Sequence, residues 1–334
     1  MESAQWLDQL REEVIAPDLP ICDPHHHLWD HPQSRYLIDE IAADVGDGHN
    51  VVSTVFMECS SMYRSTGPVE MAPVGETEFV QGIAAMSASG AYGDTKICAA
   101  IVGFADLTLG EGVRSVLEAH IQASPNRFRG IRHATSWHED KQIRNAHTRP
   151  IHKLSETEAF RTGFEVLDDM NLTFDVWCFH EQIPELVSLA KAFPGVTIVL
   201  DHFGGPLGIG PYKDRAEEVF SHWQGYVEPL ASLNNVHFKL GGINMKINGF
   251  DWHKKELPPT SDQLVTATGR YYDHCIDTFG AERCMFESNF PVDKDSCSYH
   301  VLYNAFKKIS QNRSGEEIAA LFHDTAVQVY DVEL

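Results

Sequence analysis

The segment Asp23-Pro-His25-His26-His27 sets three imidazoles in a row at the end of an apolar run. Side chains alternate faces along a strand, so His25 and His27 project to one side and His26 to the other. Two imidazoles from one strand can converge on a single ion. Further along, Phe179-His180 and Asp201-His202 each close an apolar run with a histidine. Three neutral imidazoles with a water or a carboxylate make a reasonable set for a divalent ion such as zinc, which lowers the pKa of bound water towards about 7. A lone histidine is usually a satisfied core or surface group. Four at the ends of three apolar runs are harder to treat as incidental.

These residues need elements to position them. Short apolar, β-branched or aromatic runs recur at 19–27, 51–59, 97–105, 128–134, 172–180, 197–203, 236–242 and 284–290, with amphipathic segments between them. Helix signals include capping boxes at Ser155 to Glu158 and Ser314 to Glu317. Near-continuous βα alternation implies a parallel sheet, and eight units without a linker predict an α/β fold of the (β/α)8 TIM barrel class. The expected organisation is an N-terminal extension over 1–18 and one barrel domain over 19–334. No glycine-rich phosphate loop follows the first strand, which weakens an open dinucleotide-binding sheet. Two long polar stretches, 136–153 and 244–259, read as insertions in βα loops above the C-terminal strand ends, where barrels bind substrates.

Composition narrows the function classes. The 334 residues carry 48 acidic side chains against 26 Lys and Arg, a formal charge of −22. Such a field repels phosphate backbones and anionic headgroups, so neither a nucleic acid nor a membrane surface is the expected partner; a small-molecule substrate is, with a homo-oligomer an open option. The seven cysteines are widely spaced with no CxxC pair, which argues against a disulfide framework and for a reducing cytoplasm. The longest apolar stretch falls well short of the ~20 residues of a membrane span, and the acidic start has no signal-peptide core.

The last strand runs Arg283-Cys-Met-Phe-Glu287-Ser-Asn289-Phe-Pro291-Val-Asp293-Lys294. Together, the HxH pair, the histidines after strands 5 and 6, this ESNFP segment, and the runs GIRH (130–133), LDHFGGP (200–206) and FKLGG (238–242) resemble the amidohydrolase superfamily. Within it, they resemble the amidohydrolase-2 group of sugar lactonases and 2-pyrone-4,6-dicarboxylate lactonases. The resemblance runs from Asp23 to the closing AVQVY. It implies a lactonase-type hydrolase, with His25, His27 and His180 as metal ligands, His202 as a catalytic histidine, Arg132 as a substrate contact, and one divalent ion, zinc or manganese. Metal-independent members of the group leave activity without an ion open. Glu58, closing strand 2, is a further candidate metal carboxylate or a rim charge. His133, Tyr63, Arg64, Lys239 and Lys294 are candidate substrate contacts.

One position departs from the family pattern. Asn289 stands where the family has Asp, and an amide can neither ligate strongly nor accept a proton near neutral pH. Glu287, two residues earlier on the same strand face, could supply the carboxylate, or Asp293 could from the following loop. The alternatives are a lyase or isomerase on the same scaffold, and a protein that binds without hydrolysing.

Overall fold

A computed structural model describes residues 2–32 and 34–333. Eight parallel strands follow one another around the sheet: β1 (Ile21–His26), β2 (Val51–Met57), β3 (Lys96–Gly103), β4 (Phe128–Arg132), β5 (Thr173–Val176), β6 (Ile198–Leu200), β7 (Val236–Leu240) and β8 (Cys284–Phe286). The ring is joined beyond β8, where Phe290 bridges to His26: His27 N–H donates to Phe290 O at 2.8 Å and Asn289 N–H to His25 O at 2.9 Å. This is the expected (β/α)8 barrel.

Each strand is followed by a helix on the outside. Ile38–Val45, Val74–Ala88, Val113–Ala123, Glu158–Asp169, Ile183–Ala192, Ala216–Val227, Ser261–Phe279 and Tyr299–Ser310 succeed the strands in order. Apolar spacing turns one stripe of each helix inward; Glu158–Asp169, for example, buries Phe160, Phe164 and Leu167 at intervals of four and three. Phe160, Phe164 and Phe174 meet edge-on or stacked, and burial of such a ring contributes about 1.5–3 kcal/mol. The Ser314–Glu317 capping box forms as expected. The cap expected at Ser155 falls instead at Thr157, because residues 154–156 take a tight 3-10 turn first.

With helices outside and side chains within, the strands are buried on both faces, and their alternation separates two cores. Outward residues such as Phe174, Phe238 and Phe286 join the helix layer. Inward residues Cys22, Val55, Met57, Ala100, Val102, Val199 and Met285 fill the barrel floor with Ala326, Tyr330 and Val332 of the C-terminal segment. Strand 5 is shorter than expected, ending at Val176, so residues 177–180 are loop and turn. A two-stranded hairpin, Trp29–His31 with Ser34–Tyr36, follows β1. All seven cysteines are free thiols, and among the described residues no helix is long and apolar enough to cross a membrane.

Candidate active site

Above the apolar floor lies a layer of buried charge. His25 sits on β1, Arg132 ends β4, Asp175 lies on β5, Asp201 and His202 follow β6, Lys239 lies on β7 and Glu287 follows β8; each is buried. Inward parity selects them: Asp175, Lys239 and Glu287 are spaced by two from Thr173, His237 and Met285 on the same face.

Proton bookkeeping fixes the central histidines. His27 Nδ1 lies 2.8 Å from Met57 O, a carbonyl that can only accept, so Nδ1 carries the proton and Nε2 a lone pair. Arg132 Nη1, which can only donate, lies 3.3 Å from His25 Nε2, so that nitrogen too carries a lone pair. The two Nε2 atoms face each other at 3.2 Å. Two nitrogens bound to one tetrahedral zinc stand about 3.3 Å apart, so this pair has the spacing of two ligands of one ion. His25 then carries its proton on Nδ1, 2.7 Å from Glu287 Oε2.

Glu287 spans two imidazoles. Its Oε1 accepts from His202 Nδ1 at 2.6 Å and from His202 N–H at 3.2 Å, while Oε2 faces His25. Burial pushes this carboxyl up, but His202 and His25 outweigh it and hold it at about 2. Ligand-capable atoms of His25, His202 and Glu287 lie within 4.8 Å of one another. His202 occupies the left-handed region, φ 54° and ψ 43°, a strained conformation for a histidine. The FKLGG glycines make room for it: a Cβ on Gly242 would stand 2.1 Å from His202 Nδ1, and one on Gly241 2.2 Å from Glu287 O. Trp29 stacks on His27 with centroids 5.8 Å apart, and Trp177 meets His202 edge-on at 5.0 Å. Both indoles are half-buried.

Arg132 spends its donors on the protein. Nε reaches Glu58 Oε1 at 2.8 Å, Nη2 reaches Glu58 O at 2.5 Å, and Nη1 lies 3.4 Å from Asp201 Oδ2. Burial alone would raise Glu58; Arg132 and His147 pull it down to about 2. Lys239 ion-pairs with Asp175 at 2.6 Å and Asp201 at 3.2 Å. Glu58, Asp175, Asp201 and Glu287 thus face two fixed cations, Arg132 and Lys239, with His147 beside Glu58, so buried carboxylates outnumber fixed cations in a layer that suits a further cation.

Other expected site residues lie elsewhere. His180 sits on the turn His180–Gln182 beyond β5, its ring against Tyr212 at 5.3 Å and its Nδ1 without a partner. His133 faces outward between Phe104 and Phe160. Arg64 pairs with Glu78 at the surface, and Lys294 with Asp44 at 2.6 Å. Tyr63 is half-buried, with its phenol pushed up by burial and then by Glu58 and Glu76. Asn289 takes a left-handed φ of 55°, which asparagine tolerates, and donates through Nδ2 to Asp293 Oδ1 at 3.0 Å. Burial pushes fully enclosed Asp293 up to about 7. Lys239, a candidate substrate contact, is fully enclosed and part of the charge layer.

Three participants were not singled out from sequence. Asp175 and Asp201 belong to the charge layer; each is an acid in an otherwise apolar strand or strand end, a readable signal. His147, in the 136–153 insertion, reaches Glu58 Oε2 at 3.1 Å with its side chain 34% exposed. Nothing local announces that contact.

A family model described as amidohydrolase matches residues 22–332. The chain is 32% identical over 337 residues to an uncharacterised protein of Sinorhizobium fredii, covering 94% of this chain and 99% of that one. It is 25% identical to an L-fucono-1,5-lactonase of Burkholderia multivorans, covering 92% and 95%. Among solved structures, a zinc-bound amidohydrolase from Burkholderia multivorans superposes with a TM-score of 0.71 at 23% identity, covering 94% of this chain and 99% of that chain. A manganese-bound 5-carboxyvanillate decarboxylase from Novosphingobium aromaticivorans gives a TM-score of 0.59 at 14% identity, covering 95% and 97%.

Proposed function

The chain belongs to the amidohydrolase family, and on that premise we propose that it hydrolyses the ring ester of a small lactone. The observation that carries this reading is the arrangement of His25, His27, Glu287 and His202: two facing ring nitrogens with lone pairs, beside a carboxylate that fixes the protons of two imidazoles. The lactonase relative supports the substrate class.

The facing Nε2 atoms of His25 and His27 and the surplus of buried carboxylates fit a divalent cation, which those two residues would hold with Glu287 behind them. When bound, such an ion lowers the pKa of water and polarises a carbonyl oxygen. The chain's own groups do the proton work. Glu287 keeps the proton of His202 on Nδ1, leaving Nε2 to take a proton from attacking water and return it to the ring oxygen as the ester opens. Glu287 thereby takes over, through His202, the task the family gives to the Asp at the position of Asn289. Trp29 and Trp177 flank the lactone, and Arg132 holds Glu58 and Asp201 in register.

The test is proton release on a panel of five- and six-membered sugar lactones, L-fucono-1,5-lactone among them. The protein is assayed as isolated, after chelation, and after adding back zinc or manganese, with metal content measured each time. Ring opening that incorporates one labelled water oxygen is the expected result. No turnover of any lactone in any metal state overturns the reading. Asn289 favours one second reading, because decarboxylation needs no water-activating acid at that position. Release of carbon dioxide from an aromatic acid without uptake of labelled water would establish it.

A further inference from the structure

The closing AVQVY of the sequence ends on the floor of the barrel, directly beneath the charge layer. Tyr330 is fully buried there, and its hydroxyl donates to Asp175 Oδ1 at 2.6 Å. The same oxygen accepts from Lys239 Nζ at 2.6 Å, and the ammonium stands 5.2 Å from the centroid of the Tyr330 ring. Above, Lys239 Nζ lies 3.2 Å from Asp201 Oδ1 and 3.5 Å from His25 Nδ1. Since His25 Nδ1 carries the proton turned to Glu287, the ammonium sits beside the ring as a neighbouring charge and does not bond it.

We propose that Tyr330 is a positioning residue for the reacting centre, acting through Asp175 and Lys239 on Asp201 and His25. The lysine stem has four rotatable bonds, and its place under His25 is set by what meets the ammonium. One oxygen of Asp175 takes both the lysine and the tyrosine, while Asp175 Oδ2 has no partner at all. Without the phenol, the carboxylate is free to turn its second oxygen to Lys239, and the ammonium follows it away from His25 and Asp201. The C-terminal segment therefore does more than close the barrel: Ala326 and Val332 fill the floor, and Tyr330 carries a hydrogen bond up into the charge layer. The inference takes His25 and Glu287 as the reacting centre, as in the lactone reading, but not the identity of the bond broken.

The test is Tyr330→Phe, which keeps the ring and its packing, with Asp175→Asn and the double variant. On a lactone turned over by the wild type, kcat should fall about tenfold with KM unchanged, the signature of a group that orients reacting residues without touching substrate. The double variant should be no slower than Asp175→Asn alone, because both changes break one path. A crystal structure of Tyr330→Phe gives a readout independent of activity: Lys239 should leave its place beside His25. Should kcat stay within about twofold while only thermal stability drops, or Lys239 superpose on its original position, Tyr330 is a floor residue and the proposal fails. If the wild type opens no lactone, the functional reading fails, and the crystal comparison still decides the positioning role.

Discussion

Two lysines are buried among the described residues, and they keep opposite company. Lys239, in the barrel centre, is fully enclosed and meets carboxylates of Asp175 and Asp201. Burial alone would lower its pKa, yet Asp175, Asp201 and Glu287 raise it above the ordinary lysine value. Lys307, on the helix Tyr299–Ser310, is nearly as enclosed, but its ammonium meets only neutral acceptors: Ala16 O at 2.9 Å and His49 Nδ1 at 2.8 Å. Burial pushes it down to about 8. The first lysine belongs to a charge network that cannot lose a member cheaply. The second fastens the N-terminal segment to the barrel, a task that hydrogen bonds perform whether or not a charge is present.

Lys239→Met breaks the contrast at its strong end. Removing one partner from a buried, paired set leaves Asp175 without a counter-ion and Asp201 with Arg132 alone, which costs about 3–5 kcal/mol. The expected outcome, read from urea unfolding and lactone turnover, is a loss of stability in that range with activity abolished. A loss below about 1 kcal/mol would mean that the network is wet or relaxed and behaves like a surface ion pair.

Glu287→Gln tests the same centre with less structural damage. The amide keeps the shape but replaces one carboxylate oxygen with an N–H donor, which meets the protonated Nδ1 of either His25 or His202, so that imidazole must change tautomer or lose its partner. Turnover should fall about a hundredfold, the upper end of what orienting partners contribute. Stability should drop less than in Lys239→Met, since no charge is left unpaired on Lys239. Unchanged turnover would remove Glu287 from the mechanism and return Asp293 to consideration.

What could be read from the sequence follows from which physics is local. The βα alternation and the inward pair of His25 and His27 depend on neighbours two or four residues away, so pattern alone predicts them. Arg132 was visible as a strand-end cation, but its role was not, because Glu58 and Asp201 meet it from other strands. His180 illustrates a boundary effect: the apolar run TFDVWCF continues past Val176, yet the strand does not, and the histidine is carried onto a turn beside Tyr212. Asp175 and Lys239 were legible in principle as lone charges in strands covered on both faces, where only an inner partner can satisfy them. Tyr330 and His147 act across 155 and 89 residues of chain, and nothing in their own neighbourhoods marks them.

Lys307→Met sharpens the weak end of the comparison, and here the sign with pH is the test. In the unfolded chain the lysine titrates near about 10.4, whereas in the folded protein it is held at about 8. Between those values the unfolded state binds the extra proton, so stability attributable to this group rises as pH increases from about 8 towards about 10.4. Below pH 8 the buried ammonium is a standing cost that methionine removes, partly offset by two lost hydrogen bonds of about 1 kcal/mol each. At pH 7 the variant should therefore lie within about 1 kcal/mol of the wild type. At pH 10 the wild type should be relatively more stable, measured as the difference in urea midpoint between the two proteins. A difference that does not vary between pH 7 and pH 10 would show that Lys307 keeps an ordinary pKa through solvent contact. The two lysines would then differ in exposure rather than in the charge of their neighbours.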